Sequence, residues 1–152
     1  MTPKTYAISI RQPWAWAILN GKDVENRVAR GVTKTGAPRR PTSYTGLIGI
    51  HASQAVSRDG MRDPRILALA ERLGVDLGQL PTGVIIGVAV VGETHLDDGA
   101  CCGPWGDREV FRLPLTQPRT ISAPVPARGG LGLPWAARED AAHGVWEQLE
   151  EL

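Results

Sequence analysis

The chain has 152 residues, enough for one domain with a sizeable core, and its 42% hydrophobic and 22% charged residues exclude a disordered polymer. A formal net charge of +1 excludes a uniformly basic nucleic-acid coat, and no apolar run approaches the ~18–20 residues of a membrane span. Two adjacent cysteines, Cys101 and Cys102, make no disulfide framework and the start lacks the apolar core of a signal peptide, so the expected setting is a reducing cytoplasm.

In chain order, residues 5–10 read as a first strand. Gln12 and Pro13 then open a short helix, because a proline at the first helical position gives up no hydrogen bond. Trp14, Ile18 and Gly21 fall at i, i+4 and i+7 in one apolar stripe, and Gly21 can take positive φ to close the helix. Trp14 and Trp16 cannot share a helical face, which puts Trp14 in the core or at a cleft edge and leaves Trp16 undecided. In the following strand Val24 and Val28 point to one side and Asp23, Glu25 and Arg27 to the other. Lys22 is assigned to the turn after Gly21, from which its side chain can swing back over the polar face.

Residues 27–58 contain no Asp or Glu but carry Arg27, Arg30, Lys34, Arg39, Arg40 and Arg58, while the tail from Glu139 is acidic. This asymmetry suits one face to phosphates, with a solvated basic loop as the alternative. Residues 31–45 are aperiodic and rich in Gly, Pro, Thr and Arg, which predicts a long loop. Leu47, Ile48 and Ile50 predict a short buried strand running into His51-Ala52-Ser53. Asp63-Pro64 starts a helix with Ile66, Leu69, Ala70 and Leu73 on one face and Gly74 as its stop. Residues 84–91 are the most β-branched run and predict the central strand. Residues 109–115 and 120–125 read as two further strands separated by proline-containing turns. From Trp135 a helical pattern sets in, with Ala142, Val145, Trp146, Leu149 and Leu152 in phase. Strands, loops and three helices without βαβ alternation give an α+β domain on a sheet or small barrel.

Ser9-Ile10-Arg11-Gln12-Pro13-Trp14-Ala15, followed by Ile18 and Gly21-Lys22-x-x-Glu25-x-Arg27, resembles the signature of the ASCH domain family, whose PUA-like β-barrel is associated with RNA. Gly46-Leu47-Ile48-Gly49-Ile50-His51-Ala52-Ser53, Gly83-Val84-Ile85-Ile86-Gly87-Val88-Ala89 and the stretch from Pro124 to Trp135 follow in the family's order, so the resemblance covers about residues 8–136. It implies a single domain over residues 1–152, an α+β PUA-like mixed β-barrel with flanking helices, and RNA, a nucleotide or a nucleoside as partner. One branch of the family hydrolyses the acetyl amide of N(4)-acetylcytidine with a Lys, a Thr three residues later and a distant Glu. Lys22 matches the Lys, Glu25 stands where that branch has Thr, and the distant carboxylate is sought among Glu93, Asp97 and Asp98. Other members resemble ribonucleases or plain nucleic-acid binders.

The candidate catalytic residues are Lys22, Glu25 and His51. A lysine held near a carboxylate and away from water can serve as base or nucleophile; a solvated one is a phosphate-binding point charge, with Arg27 a bidentate partner. His51 can be a general acid or base, or can tie a strand end to the backbone. The candidate binding residues are Trp14, Lys22, Arg27, Arg39, Arg40, Arg128 and Gly129, Trp14 as a base-stacking surface and Arg128-Gly129 as a cation beside closely approachable backbone. His51 and Arg128 are expected at the rim of a cleft formed by Lys22, Glu25 and Arg27. No cofactor or metal is expected, because His95 with Cys101-Cys102 lacks the Cys-x-x-Cys spacing of zinc sites. The functions that fit are RNA or nucleotide binding, hydrolysis of RNA or of a modified nucleoside in the same cleft, and a protein-interaction scaffold.

Overall fold

Strand β4 (Val84–Val91) lies inside the sheet, between β6 (Phe111–Pro126) and β3 (Gly46–Val56), as its β-branched run predicts. The computed structural model describes residues 2–97 and 103–150; Asp98, Cys101, Cys102 and Leu152 lie outside them. Together with β1 (Tyr6–Gln12), β2 (Val24–Arg27), β5 (His95–Leu96) and β7 (Trp135–Ala136), these strands form one mixed seven-stranded sheet in the order β2-β6-β4-β3-β1-β7, with β5 also on β6. Only β1 and β3 run parallel; the other pairs are antiparallel. Four α-helices complete this α+β fold among the described residues: α1 (Trp14–Ile18), α2 (Arg58–Arg62), α3 (Pro64–Leu73) and α4 (Glu139–Glu150). None of them is long and apolar enough to cross a membrane. The sheet is not closed: β2 and β7 end the strand order without pairing to each other.

Short α1 follows directly from β1. Pro13 stands just before its first residue, and the Gln12 side-chain carbonyl accepts the Trp16 N–H at 2.9 Å, satisfying a donor the helix start leaves open. Gly21 takes φ +115°, and the Lys22 N–H bonds back to the Ala17 carbonyl at 2.9 Å, so the chain reverses before β2 begins. Ile18 and Ile50 are buried beneath α1 with Ile8, Ile10, Ile48 and Leu113. A second cluster packs Trp16 and Ala17 against Ile66, Leu69 and Ala70 of α3, and a third packs Val145 and Leu149 of α4 on Ile85, Val88 and Ile121. Helix α3 has the expected ends, with the Asp63 carboxylate accepting the Arg65 N–H and Gly74 in the left-handed region.

Several expectations are corrected. Val28 lies beyond the end of β2 and is 74% exposed, and Leu73 is 45% exposed at the end of α3, where the helix has run past its partner. The two strands expected over residues 109–125 are one strand, β6. Pro118 does not interrupt it because β6 carries an extra residue there: Val88 and Val90 pair with Arg119 and Thr116, and a bulge tolerates a residue without an N–H. Residues 31–45 are not featureless, since Val32 bridges Pro38 and the Arg30 N–H reaches the Arg39 carbonyl at 2.9 Å. Helix α2 and the two-residue strands β5 and β7 carry too few residues to show a period.

The β4–β6 contact is close at Gly87, where a Cβ would stand 2.5 Å from the Arg119 carbonyl oxygen and 2.8 Å from a Leu19 methyl. Gly87→Ala is expected to cost about 1–3 kcal/mol of stability, read from the urea midpoint. An unchanged midpoint would mean that β6 shifts aside freely.

Candidate functional site

Between α1, β2 and α3 lies a cleft of about 550 Å³ whose walls include Trp14, Lys22, Glu25, Arg27, Arg65, Trp105 and Asp107. Lys22 sits in the turn before β2 and is 3% exposed. Its Nζ donates to the Val24 carbonyl, lies 3.8 Å from Glu25 Oε1 and stands 5.5 Å from the centre of the Trp14 ring. Burial pushes the Lys22 pKa down from its ordinary value, opposed by the negative charges of Glu25 and then Asp107, while Arg65 adds to the lowering. Glu25 is shared, because its Oε2 accepts from Arg27 Nε at 2.8 Å. Arg27 extends further, its Nη2 donating to the Ser9 carbonyl at 2.9 Å, and its side chain remains 32% exposed.

The opposite wall is aromatic and cationic. Trp14 is half-buried and donates its Nε1–H to Ser57 Oγ, the hydroxyl that also caps α2. It packs on Gly60, where a Cβ would come 2.8 Å from Trp14 Nε1. The Arg65 guanidinium lies 5.0 Å from the Trp105 ring centre and 6.0 Å from that of Trp14, and Nε and Nη2 grip the Asp63 carboxylate at 3.0 and 2.7 Å. Those bonds hold the Asp63 carboxyl below its ordinary pKa. Around this cleft Arg11, Lys22, Arg27 and Arg65 are matched by Glu25, Asp59, Asp63 and Asp107, leaving no formal net charge.

The remaining candidates lie elsewhere. His51, Arg128 and Gly129 line a second cleft of about 930 Å³, and Ser9 is common to both clefts. His51 is 2% exposed; its Nδ1 lies 2.9 Å from Ser9 Oγ, its Nε2 2.7 Å from the Ala127 carbonyl oxygen, and Trp135 meets its ring edge-on. Burial lowers the His51 pKa, and the hydrogen bond to Ala127 opposes that shift. Arg39 and Arg40 border a third cleft of about 680 Å³ with Tyr44 and Pro134, and Arg40 lies 3.7 Å from Glu93 at the surface.

Among the carboxylates sought for Lys22, Glu93 faces Arg40, Asp97 pairs with Arg112 at 2.9 Å, and Asp98 is outside the described residues. Neither Glu93 nor Asp97 lines the Lys22 cleft. The carboxylates there that sequence reading did not assign to this cleft are Asp59, Asp63 and Asp107, the last brought in by a bond from its backbone N–H to Asn26 Oδ1 at 3.0 Å. Trp105 was not assigned to this cleft either; its carbonyl accepts from Asn26 Nδ2 at 3.0 Å, and Arg65 on the Pro104 carbonyl and Arg112 on the Asp107 carbonyl hold the same segment. Asn26, one position from Glu25, is the sequence signal available for this, and it is weak. No protein-family model and no curated protein matches this chain.

His51 gives a test of the second cleft. Its folded pKa is depressed below the ordinary 6.5, so the unfolded chain binds more protons just under that pH. The stability of neutral His51 is therefore complete above about pH 6.5 and is lost as pH falls toward the folded value. The expected slope is up to about 1.4 kcal/mol per pH unit in that window, measured by urea unfolding, and it disappears in His51→Gln. Equal slopes in both proteins would contradict this.

Proposed function

We propose that this chain is an ASCH-type domain that binds a nucleoside or nucleotide unit, free or within RNA, in the Lys22 cleft. The observation that carries this reading is Lys22 itself, an almost fully buried amine beside a shared carboxylate and against the face of a half-exposed indole. A planar base stacking on Trp14 would gain roughly 1–3 kcal/mol. Glu25, Asp107 and the Arg27 guanidinium offer hydrogen-bond partners to its polar edge. The absence of net charge around the cleft favours a neutral base there over a polyphosphate, and leaves flanking phosphates of an RNA to Arg39 and Arg40. The PUA-like barrel belongs to the same proposal. It is supported by the bond from Arg27 to Ser9, which links β2 at one end of the open sheet to β1 near the other.

A second reading is hydrolysis of an amide on a modified nucleoside, such as the acetyl group of N(4)-acetylcytidine. Burial favours the neutral amine of Lys22, the form that can take a proton from water, and Asp107 supplies a carboxylate on the same cleft. Glu25 in place of threonine changes that branch's constellation, and its bond to Arg27 makes it an orienting group.

Lys22→Met tests both readings. Glu25 keeps Arg27 as partner in this variant, and a buried amine is replaced by an apolar side chain of similar length, so the melting temperature is expected within a few degrees of wild type. Nucleoside or oligoribonucleotide binding, followed by tryptophan fluorescence at low salt, is expected to weaken at least about tenfold, which is about 1.4 kcal/mol. Release of acetate from N(4)-acetylcytidine by the wild type, seen by mass spectrometry, would select the second reading. Unchanged binding by Lys22→Met, or no binding and no turnover by the wild type, would overturn both.

A further inference from the structure

The second cleft contains a hydroxyl already aimed at a base. The Ala127 carbonyl can only accept a hydrogen bond, so His51 Nε2, 2.7 Å away, carries the hydrogen. The neutral ring then presents Nδ1 as an acceptor, and the Ser9 hydroxyl 2.9 Å away donates to it. Trp135 Nε1–H donates to the same Ser9 oxygen at 3.1 Å, fixing its lone pairs. Nucleophile, base and orienting acceptor are thus in line, with a backbone carbonyl where a carboxylate commonly stands. The alignment is built into the sheet, since Ser9 and His51 are facing partners on the parallel pair β1 and β3.

The surroundings fit a reacting group. A Cβ at Gly129 would come 3.0 Å from Ser9 Oγ and 3.3 Å from His51 Cε1, so the backbone of Gly129 lies against the pair and a larger residue there would crowd it. Arg128 and Arg138 stand around the same cleft, where Asp140 lies 3.9 Å from Arg138 and leaves Arg128 as the cation not matched by a carboxylate of the lining. We infer that Ser9 and His51 form a serine–histidine pair that hydrolyses small carboxylic esters bearing an anionic group, reached through the second cleft, on whose side the Ser9 hydroxyl meets His51. Ser9 Oγ attacks the ester carbon as its proton passes to His51 Nδ1. The tetrahedral intermediate expels the alcohol, which takes that proton, and leaves an acyl group on Ser9. Water then attacks the acyl carbon, giving its proton through His51 Nδ1 back to Ser9 Oγ, and the carboxylic acid departs.

The full chain is treated with a fluorophosphonate and mapped by peptide mass spectrometry, and 4-nitrophenyl acetate and 4-nitrophenyl hemisuccinate are assayed in parallel. One phosphonyl group is expected on Ser9, with the hemisuccinate cleaved faster than the acetate and both rates falling at least about 100-fold in Ser9→Ala. The labelling uses the wild-type protein, so it decides the matter even where Ser9→Ala fails to fold. A label on another residue, no label with no hydrolysis above the solvent rate, or equal hydrolysis by a folded Ser9→Ala protein would each overturn the inference.

Discussion

The hydrogen bond from Arg27 to the Ser9 carbonyl is the contact on which the site geometry depends. In the strand order β2 and β1 are separated by β6, β4 and β3, yet Arg27 at the end of β2 reaches the backbone of β1 at 2.9 Å. The sheet therefore curls enough to bring these two strands within one side chain of each other. Arg27 can make that link because Glu25 fixes its guanidinium from the other side at 2.8 Å. Hydrogen bonds to charged groups of this kind are each worth on the order of 1.5–3 kcal/mol. Glu25 in turn is the nearest counter-charge of buried Lys22. One chain of contacts thus runs from a β1 carbonyl through Arg27 and Glu25 to the amine, and loosening any link leaves a charge poorly matched.

Ser9 stands between the first and second clefts. Its carbonyl faces Arg27 and the Lys22 cleft, while its hydroxyl faces His51 and Trp135 in the second cleft. A residue in the middle of a strand has little freedom to satisfy one side at the expense of the other. Its neighbours Ile8 and Ile10 are buried in the core, and the ladder to β3 sets the backbone. A change that rotates Ser9 would disturb the two clefts together.

What could be read from the sequence is what local rules govern. The ends of α3 follow from Asp63, Pro64 and Gly74; β4 follows from its β-branched run; the turn at Lys22 follows from Gly21 and from strand alternation. The continuous β6 could not be read, because Pro118 breaks a strand by any local rule and is admitted only by a bulge opposite Val88 and Val90. The division of the candidate residues among three clefts is likewise tertiary. His51 was recognisable as a buried strand-end histidine, but Ser9 and Ala127, its partners, lie 42 and 76 residues away. Trp105 and Asp107 reach the Lys22 cleft through tertiary bonds from Asn26, Arg65 and Arg112.

Lys22 also decides what kind of ligand its cleft suits. A buried amine is expensive in free energy, and an apolar side chain of similar size would commonly stabilise the same position. Here three things reduce that cost: the Val24 carbonyl, the Glu25 carboxylate and the electron-rich face of Trp14. Lys22 is therefore already compensated before any ligand arrives. A phosphate placed on it would have to displace Glu25 from a position that also serves Arg27. A neutral group with both a donor and an acceptor can bridge Lys22 and Glu25 without separating them. That asymmetry follows from the carboxylate being shared, and it is why the proposed site takes the edge of a base at Lys22 and leaves anionic groups to cations outside it, Arg39 and Arg40.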